Sequence, residues 1–289
     1  RCGAAYRLGL TGKGIGVAVL DTGIFLHRDF DSRVTGFADM VNGKNFAYDD
    51  CGHGTHICGI IGGSGRMSGG RYSGIAPGCD LVMVKVLDRK GNGYSSDVLA
   101  GISWILERKE KLGIRILNIS VGACSKRGMS ENSALVKGVN RAWDAGLVVV
   151  VAAGNNGPRT MSITTPGISR KVITVGCSDD DREVLVGGNR MVDYSGRGPT
   201  AACICKPDLV APGCSVVSCS SRADKYTIKS GTSMSTPIVS GAVALLLERF
   251  PDMTNKDVKL RLRESSVDIG LPRNQQGWGL LDVGKMIGK

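Results

Sequence analysis

Three short segments of this 289-residue chain carry side chains whose types suit acyl transfer. The first is Asp21-Thr22-Gly23, which ends the apolar run Val17-Ala18-Val19-Leu20. The second is Gly52-His53-Gly54-Thr55-His56, and the third is Gly231-Thr232-Ser233-Met234-Ser235-Thr236-Pro237. Ser233 stands between a glycine turn and the apolar run from Ile238 to Leu247, which reads as a buried helix. A helix start has unpaired backbone N–H groups and the positive end of the dipole, so a developing oxyanion there is stabilised. A serine hydroxyl is a weak nucleophile at its free pKa and needs a base beside it. His53 offers the base, and Asp21 offers a carboxylate to orient it. Taken singly, Ser233 is an ordinary N-cap, Asp21 a turn residue and His53 a hydrogen-bonded structural residue. Together, each bounded by glycines that let the chain turn sharply, they point to a Ser/His/Asp triad in the order Asp…His…Ser.

Such a triad needs a frame that brings distant segments together. Apolar periodicity predicts strands and helices in alternation over 16–20, 53–61, 81–87, 96–111, 114–120, 133–145, 147–151 and 172–176. The strand runs are continuously apolar, Val148-Val149-Val150-Val151 most clearly, as parallel strands covered on both faces require. Residues 96–111 carry Val98, Leu99, Ile102, Ile105 and Leu106 at helical spacing, with Ser95 or Ser96 available as cap. The expected class is α/β, a doubly wound, mostly parallel β-sheet flanked by helices. Asp21 then falls at the carboxyl edge of a strand, where such sheets place ligands. Hydrophobic residues make up 42% of the chain, and no Pro/Ser-rich linker interrupts it, so one domain over 1–289 is expected.

The blocks Asp21-Thr22-Gly23, His53-Gly54-Thr55-His56 and Gly231-Thr232-Ser233-Met234 resemble the three signature segments of the subtilisin-like serine proteases. The resemblance runs from about Leu8 to Val283. It implies a serine endopeptidase in which Asp21 orients His53, His53 takes the proton of Ser233, and Ser233 forms the acyl-enzyme. His56 matches a position with no catalytic part. In Ala152-Ala153-Gly154-Asn155, the resemblance gives Asn155 the oxyanion role, with the backbone N–H of Ser233 as second donor. Ser235 stands where many relatives carry alanine.

The resemblance also nominates substrate contacts. Ser120-Val121-Gly122 and Gly91-Asn92-Gly93-Tyr94 match the two segments that pair with the substrate, and both carry glycine where another backbone must approach. Ala153 and Gly154, with Thr164-Thr165-Pro166-Gly167, are expected at the floor of the P1 pocket. No acid occurs in these segments, so an apolar P1 residue is expected. For calcium, Asp29 matches a family ligand. The following loop, Gly62 to Arg71, offers no carboxylate and two cations, so no metal is expected there. No other cofactor is implied.

The ten cysteines include no Cys-x-x-Cys, so a zinc or redox motif has little support. Cys58 and Cys177 read as small buried hydrophobes. Cys203 and Cys205 are too close to bridge each other, and Cys214 or Cys219 are the partners available to them. Cysteine use leaves the compartment open. Leu8-Gly9-Leu10-Thr11-Gly12-Lys13-Gly14 resembles the start of a mature subtilase domain, as if a propeptide were removed or absent. Extracellular work is the expectation, with the cytoplasm as the alternative. No stretch approaches the ~18 apolar residues of a membrane helix. The net charge is +11, but the cations are dispersed, and the densest run, Lys259 to Arg263, alternates with leucines on an expected solvated face. No aromatic interleaving supports specific nucleic-acid binding; polypeptides are the expected partners. A pseudoprotease would be expected to lack one of Asp21, His53, Ser233 or Asn155. An esterase or peptide ligase would not need peptide-pairing segments on both sides of the cleft.

Overall fold

The computed structural model describes residues 2–122 and 131–288. Its strands are β1 (Gly16–Asp21), β2 (Val34–Asp39), β3 (Asp80–Lys85), β4 (Ile114–Ile119), β5 (Val148–Ala152) and β6 (Ile173–Cys177). A short hairpin, β7 (Val184–Val186) and β8 (Asn189–Met191), precedes β9 (Leu209–Ala211). A second hairpin is formed by β10 (Val216–Cys219) and β11 (Tyr226–Lys229). Seven strands make one parallel sheet in the order β2-β3-β1-β4-β5-β6-β9. The chain builds leftward from β1 to β3 and β2, then rightward from β4, so its direction reverses beside β1. Crevices at the strands' carboxyl ends form where order reverses in this way.

The helices are α1 (Gly3–Arg7), α2 (His53–Gly62), α3 (Ser95–Arg108), α4 (Ala134–Asp144), α5 (Thr232–Arg249), α6 (Asn255–Ser265), α7 (Arg273–Gln276) and α8 (Val283–Ile287). Alternation along β3 separates the two helical layers. A Cβ on Gly62 or Gly54 of α2 would meet Leu81 or Met83, whereas one on Gly101 of α3 would meet Val84 and Leu20. Leu20 and Val84 are register partners, so Asp21, one residue on, faces the α2 layer. Helix α5 packs against α2 and across β4, β5 and β6, while α3 packs on α4. The eight expected segments are all present within a few residues.

Three expectations change. Tyr94, not a serine, occupies the N-cap of α3, and Ser95 and Ser96 lie inside its first turn. The basic run of α6 is not a freely solvated face. Lys259 donates to the carbonyls of Arg170, Lys171 and Val172, and Arg261 to that of Met286. These cations close exposed backbone ends. The cysteines at 203 and 205 do not reach Cys214 or Cys219: all nine described cysteines are unpaired, and Cys203 and Cys205 are exposed. Cys124 lies outside the described residues. No helix among those described is long and apolar enough to cross a membrane.

A buried ion pair holds the right-hand edge of the sheet. Lys206 Nζ, with no exposed surface, donates to Asp208 and to the Val172 carbonyl. Asp208 also accepts the Thr174 N–H at 2.7 Å, and Lys259 lies 3.5 Å from its other oxygen. Burial pulls the Lys206 ammonium down to about 8, and Asp208 limits the fall. Asp208→Ala leaves that cation without a counter-charge and should cost about 3 kcal/mol in denaturant unfolding at neutral pH. The double change Lys206→Met/Asp208→Leu should cost less than the single one, because no buried charge is then orphaned.

Candidate active site

Asp21 closes β1 with no exposed surface. Its Oδ1 accepts the Thr22 N–H at 2.8 Å and lies 2.7 Å from His53 Nδ1. Oδ2 is buried and has no donor among the described residues, so Thr22 and His53 are the carboxylate's partners there. His53 is the first residue of α2, and that helix start is fastened to β1 by one aspartate. Asp49 accepts from the Thr22 hydroxyl, from Cys51, Gly52 and Thr55 N–H groups, and from the Thr55 hydroxyl. Thr22 Oγ1 in turn accepts the Gly54 N–H at 2.9 Å. Gly54 itself is required by closeness: a Cβ there would lie 2.2 Å from the Gly23 carbonyl oxygen. Burial disfavours the His53 cation, but the Asp21 charge and hydrogen bond outweigh it and hold the imidazole above its ordinary pKa. His56 differs. Its Nε2 approaches the Val216 and Thr227 carbonyls on the β10–β11 hairpin, and burial first, then the His53 and Lys229 charges, pull it down to about 3.

Ser233 is the second residue of α5, after a Gly231 turn with φ 141° that favours glycine. Its N–H has no partner within the helix, as first-turn groups do not. Thr232 fixes the neighbouring loop: its N–H and hydroxyl both donate to Asn155 Oδ1 at 3.0 Å, and its hydroxyl oxygen accepts the Gly154 N–H. With its oxygen engaged this way, Asn155 keeps its NH₂ as the donor, and it lines the same cleft as Ser233 and His53. The Ser233 hydroxyl donates to the Ser120 carbonyl at 2.7 Å rather than to the imidazole. His53, Ser233 and Asn155 thus line one cleft of about 470 Å³, with Asp21 buried behind the imidazole and the serine rotamer turned to the cleft wall. Nucleophile–base bonds in such sites often tighten only around substrate.

The nominated contact segments divide. Gly91, Ser120, Val121, Gly122 and Gly154 line the cleft that holds His53 and Ser233. Gly91, Asn92, Gly93, Val121 and Gly122 also line an adjoining cavity of about 220 Å³ whose walls include Leu87, Val98, Ile119 and Leu135. Ala153 is the exception: it is fully buried in a small apolar cluster with Val136, Ile163 and Ile168, and lines neither space. Its place beneath the floor follows from strand alternation past Ala152.

Sequence reading missed the residues that tie the nucleophile helix to the sheet. Ser240 Oγ donates to Asn118 Oδ1 at 2.8 Å, and Asn118 Nδ2 donates to Ser120 Oγ at 2.9 Å. The signal was present: a polar residue inside each of two apolar runs, which burial obliges to find a partner. Asp29 accepts the Met67 N–H at 2.9 Å and the Tyr226 hydroxyl at 2.7 Å, so the loop after α2 turns a donor toward it. Among the described residues, His27–Asp29–Cys219 and Cys177–Asp179–Cys214 are the clusters with grouped ligand atoms. Both are rich in nitrogen or sulfur, a set that does not suit calcium.

Comparison with known proteins agrees with this geometry. The subtilase family model, Peptidase_S8, matches residues 12–279. The chain is 43% identical to serine protease AprX of Bacillus subtilis (strain 168) over 89% of its own length and 62% of that protein's. It is 34% identical to subtilisin BL of Lederbergia lenta, covering 97% of this chain and 93% of that one. Among solved structures, sphericase superposes with a TM-score of 0.78 at 31% identity, over 94% of this chain and 92% of the other. A cold-adapted subtilisin-like serine proteinase gives 0.75 at 29%, over 94% and 88%. With residues 12–279 matched by the family model and relatives of more than 30% identity along most of its length, the chain belongs to the subtilase family of serine endopeptidases.

Proposed function

We propose that this domain cleaves polypeptides through an acyl-enzyme on Ser233. The observation that carries this is the 2.7 Å contact of buried Asp21 with His53, in one cleft with Ser233 and Asn155. Rotation about χ1 frees the Ser233 hydroxyl from the Ser120 carbonyl and presents it to His53. The imidazole takes the proton as Ser233 attacks the scissile carbonyl, and Asp21 stabilises the resulting cation. The Asn155 NH₂ and the Ser233 N–H receive the oxyanion. His53 then hands its proton to the leaving amine, and water repeats the sequence to release the acyl group.

The acyl half of the substrate runs between Gly91–Asn92–Gly93 and Ser120–Val121–Gly122, where the missing side chains let strands pair. The cleft is lined by Ser120, Val121, Gly122, Ala152, Gly154 and Thr164 without a carboxylate, which favours an apolar P1 side chain over a basic one. The adjoining cavity, walled by Leu87, Val98, Ile119 and Leu135, suits a second apolar side chain. The acyl-transfer steps need no metal, since Asp21, His53, Ser233 and Asn155 supply the base, the nucleophile and the oxyanion donor.

Labelling with a fluorophosphonate probe tests the nucleophile directly. The adduct should map to Ser233 and vanish in Ser233→Ala; folded protein with an open cleft and no adduct would sink the reading. Asn155→Ala should lower kcat by roughly 100- to 1000-fold with KM little changed, since the bond forms mainly in the transition state. The base must be neutral to act, and Asp21 favours its cation. Activity should therefore fall on acidification with a midpoint above ~6.5. Asp21→Asn should reduce kcat by about 10⁴ in stopped assays while leaving the fold intact.

A further inference from the structure

We propose that the cleft selects peptides with acidic residues next to the scissile bond, chiefly on the leaving-group side through Lys229, with Lys90 as an acyl-side contact. The proposal rests on the endopeptidase reading. Apart from His53, the ionisable lining of the cleft consists of Cys51, Lys90 and Lys229, and no carboxylate lines it. The acids that border it are engaged. Asp49 holds the start of α2, and Asp50 pairs with Lys85 at 2.8 Å. Asp88 accepts the N–H groups of Lys90 and Asn92 in its own turn. Neither Lys90 nor Lys229 forms an ion pair among the described residues, in contrast to Lys85 and Lys206.

Chemistry places Lys229 relative to the bond. It ends β11, two residues before the Gly231 turn, and its charge acts on both His53 and Cys51. The imidazole that protonates the leaving amine must lie beside the leaving-group half of the substrate. The acyl half is assigned to 91–93 and 120–122, next to Lys90. Lys229 therefore faces the first residues after the bond. A substrate carboxylate there does two things: it attracts the ammonium, and it offsets a charge that opposes the His53 cation in the transition state. The second effect belongs to kcat and distinguishes this contact from general attraction to a chain of net charge +11.

The test uses internally quenched peptides with leucine before the bond and Glu, Gln or Lys at the two positions after it. A compensating charge at the far end keeps net charge constant, which removes long-range steering from the comparison. The Glu peptide should exceed the Lys peptide in kcat/KM by about tenfold at low salt, with part of the gain in kcat. The ratio should shrink in 1 M salt, where the Debye length is about 3 Å. Lys229→Glu should reverse the order, and Lys90→Glu should alter it only for peptides varied before the bond. Each variant is normalised by probe labelling of Ser233, which also reports folding. Equal rates for the three peptides, or the wild-type order kept in Lys229→Glu, would overturn the proposal while cleavage of the Gln peptide upholds the endopeptidase reading. If no peptide is cleaved and Ser233 takes no probe, that reading fails and the proposal with it.

Discussion

Everything at this site depends on a carboxylate without solvent. Asp21 has no exposed surface, and a buried charge is tolerable only where donors and a counter-charge meet it. Thr22 and His53 are the donors, and the sheet decides that His53 is within reach. Because β1 pairs in register with β3, odd residues of β1 face α2 and even ones face α3. A slip of one residue would send Asp21 into the α3 layer and put Leu20 against the imidazole. Lys85, the register partner of Asp21, does not compete for it. Its ammonium donates to the carbonyls of Thr22 and Leu87 and to Asp50, so it closes the two strand ends and leaves Asp21 to the histidine.

Ser233, the proposed nucleophile, is fixed by a different device. Pro237 lies inside α5 and has no N–H to offer the Ser233 carbonyl, so the first turns of that helix lose part of their own bonding. Lateral ties replace it. Thr236 Oγ1 donates to the Thr232 carbonyl at 2.8 Å, Thr232 donates to Asn155, and Ser240 reaches Asn118 on β4. The last two ties join α5 to the ends of β4 and β5, the same ends that carry Ser120 and Asn155. Ser233, Asn155 and the Ser120 wall of the cleft are therefore held by one set of bonds. A site held to fractions of an ångström requires supporting bonds of this kind.

How much of this was legible in sequence follows from what each residue does. Asp21, His53 and Ser233 stand beside glycines demanded by tight turns and close approach, so the chain marks them. Of the central strands, β1 and β5 announce themselves as unbroken apolar runs up to their ends. The edges do not: β2 includes Thr35, Gly36 and Asp39 and is only partly buried, and β9 is three residues between Pro207 and Pro212. Their strand state comes from a neighbour already in place, not from local preference. Asp49 and Thr232 were silent for a related reason, since a polar residue in a loop or at a helix start gives no sign of which group it will meet. Asn118 and Ser240 did interrupt apolar runs, but that shows only that each needs a partner and not which distant group supplies it. Ala153 failed in the opposite sense, since a motif names neighbours in the chain but alternation sends every second one into the core.

The electrostatics of the imidazole show how the scaffold reconciles opposed demands. Burial and the Lys229 ammonium disfavour the His53 cation, while Asp21 and, less strongly, Asp49 favour it. The carboxylates prevail, but they are restrained, so the imidazole is held above its ordinary pKa by less than Asp21 alone would give. That restraint comes first from burial and then from Lys229; in a chain of net charge +11 the charge part comes from this lysine at the cleft rather than from the surface at large, because screening confines the influence of remote charges to about 8–10 Å. The same lysine can answer to a substrate's charge, since it is half-buried at the cleft and holds no carboxylate of its own among the described residues. Catalytic strength and substrate choice then share one electrostatic balance: a ligand that neutralises Lys229 also releases the opposition to the His53 cation. The two would not be coupled if an internal acid had been placed beside Lys229, as Asp50 is beside Lys85.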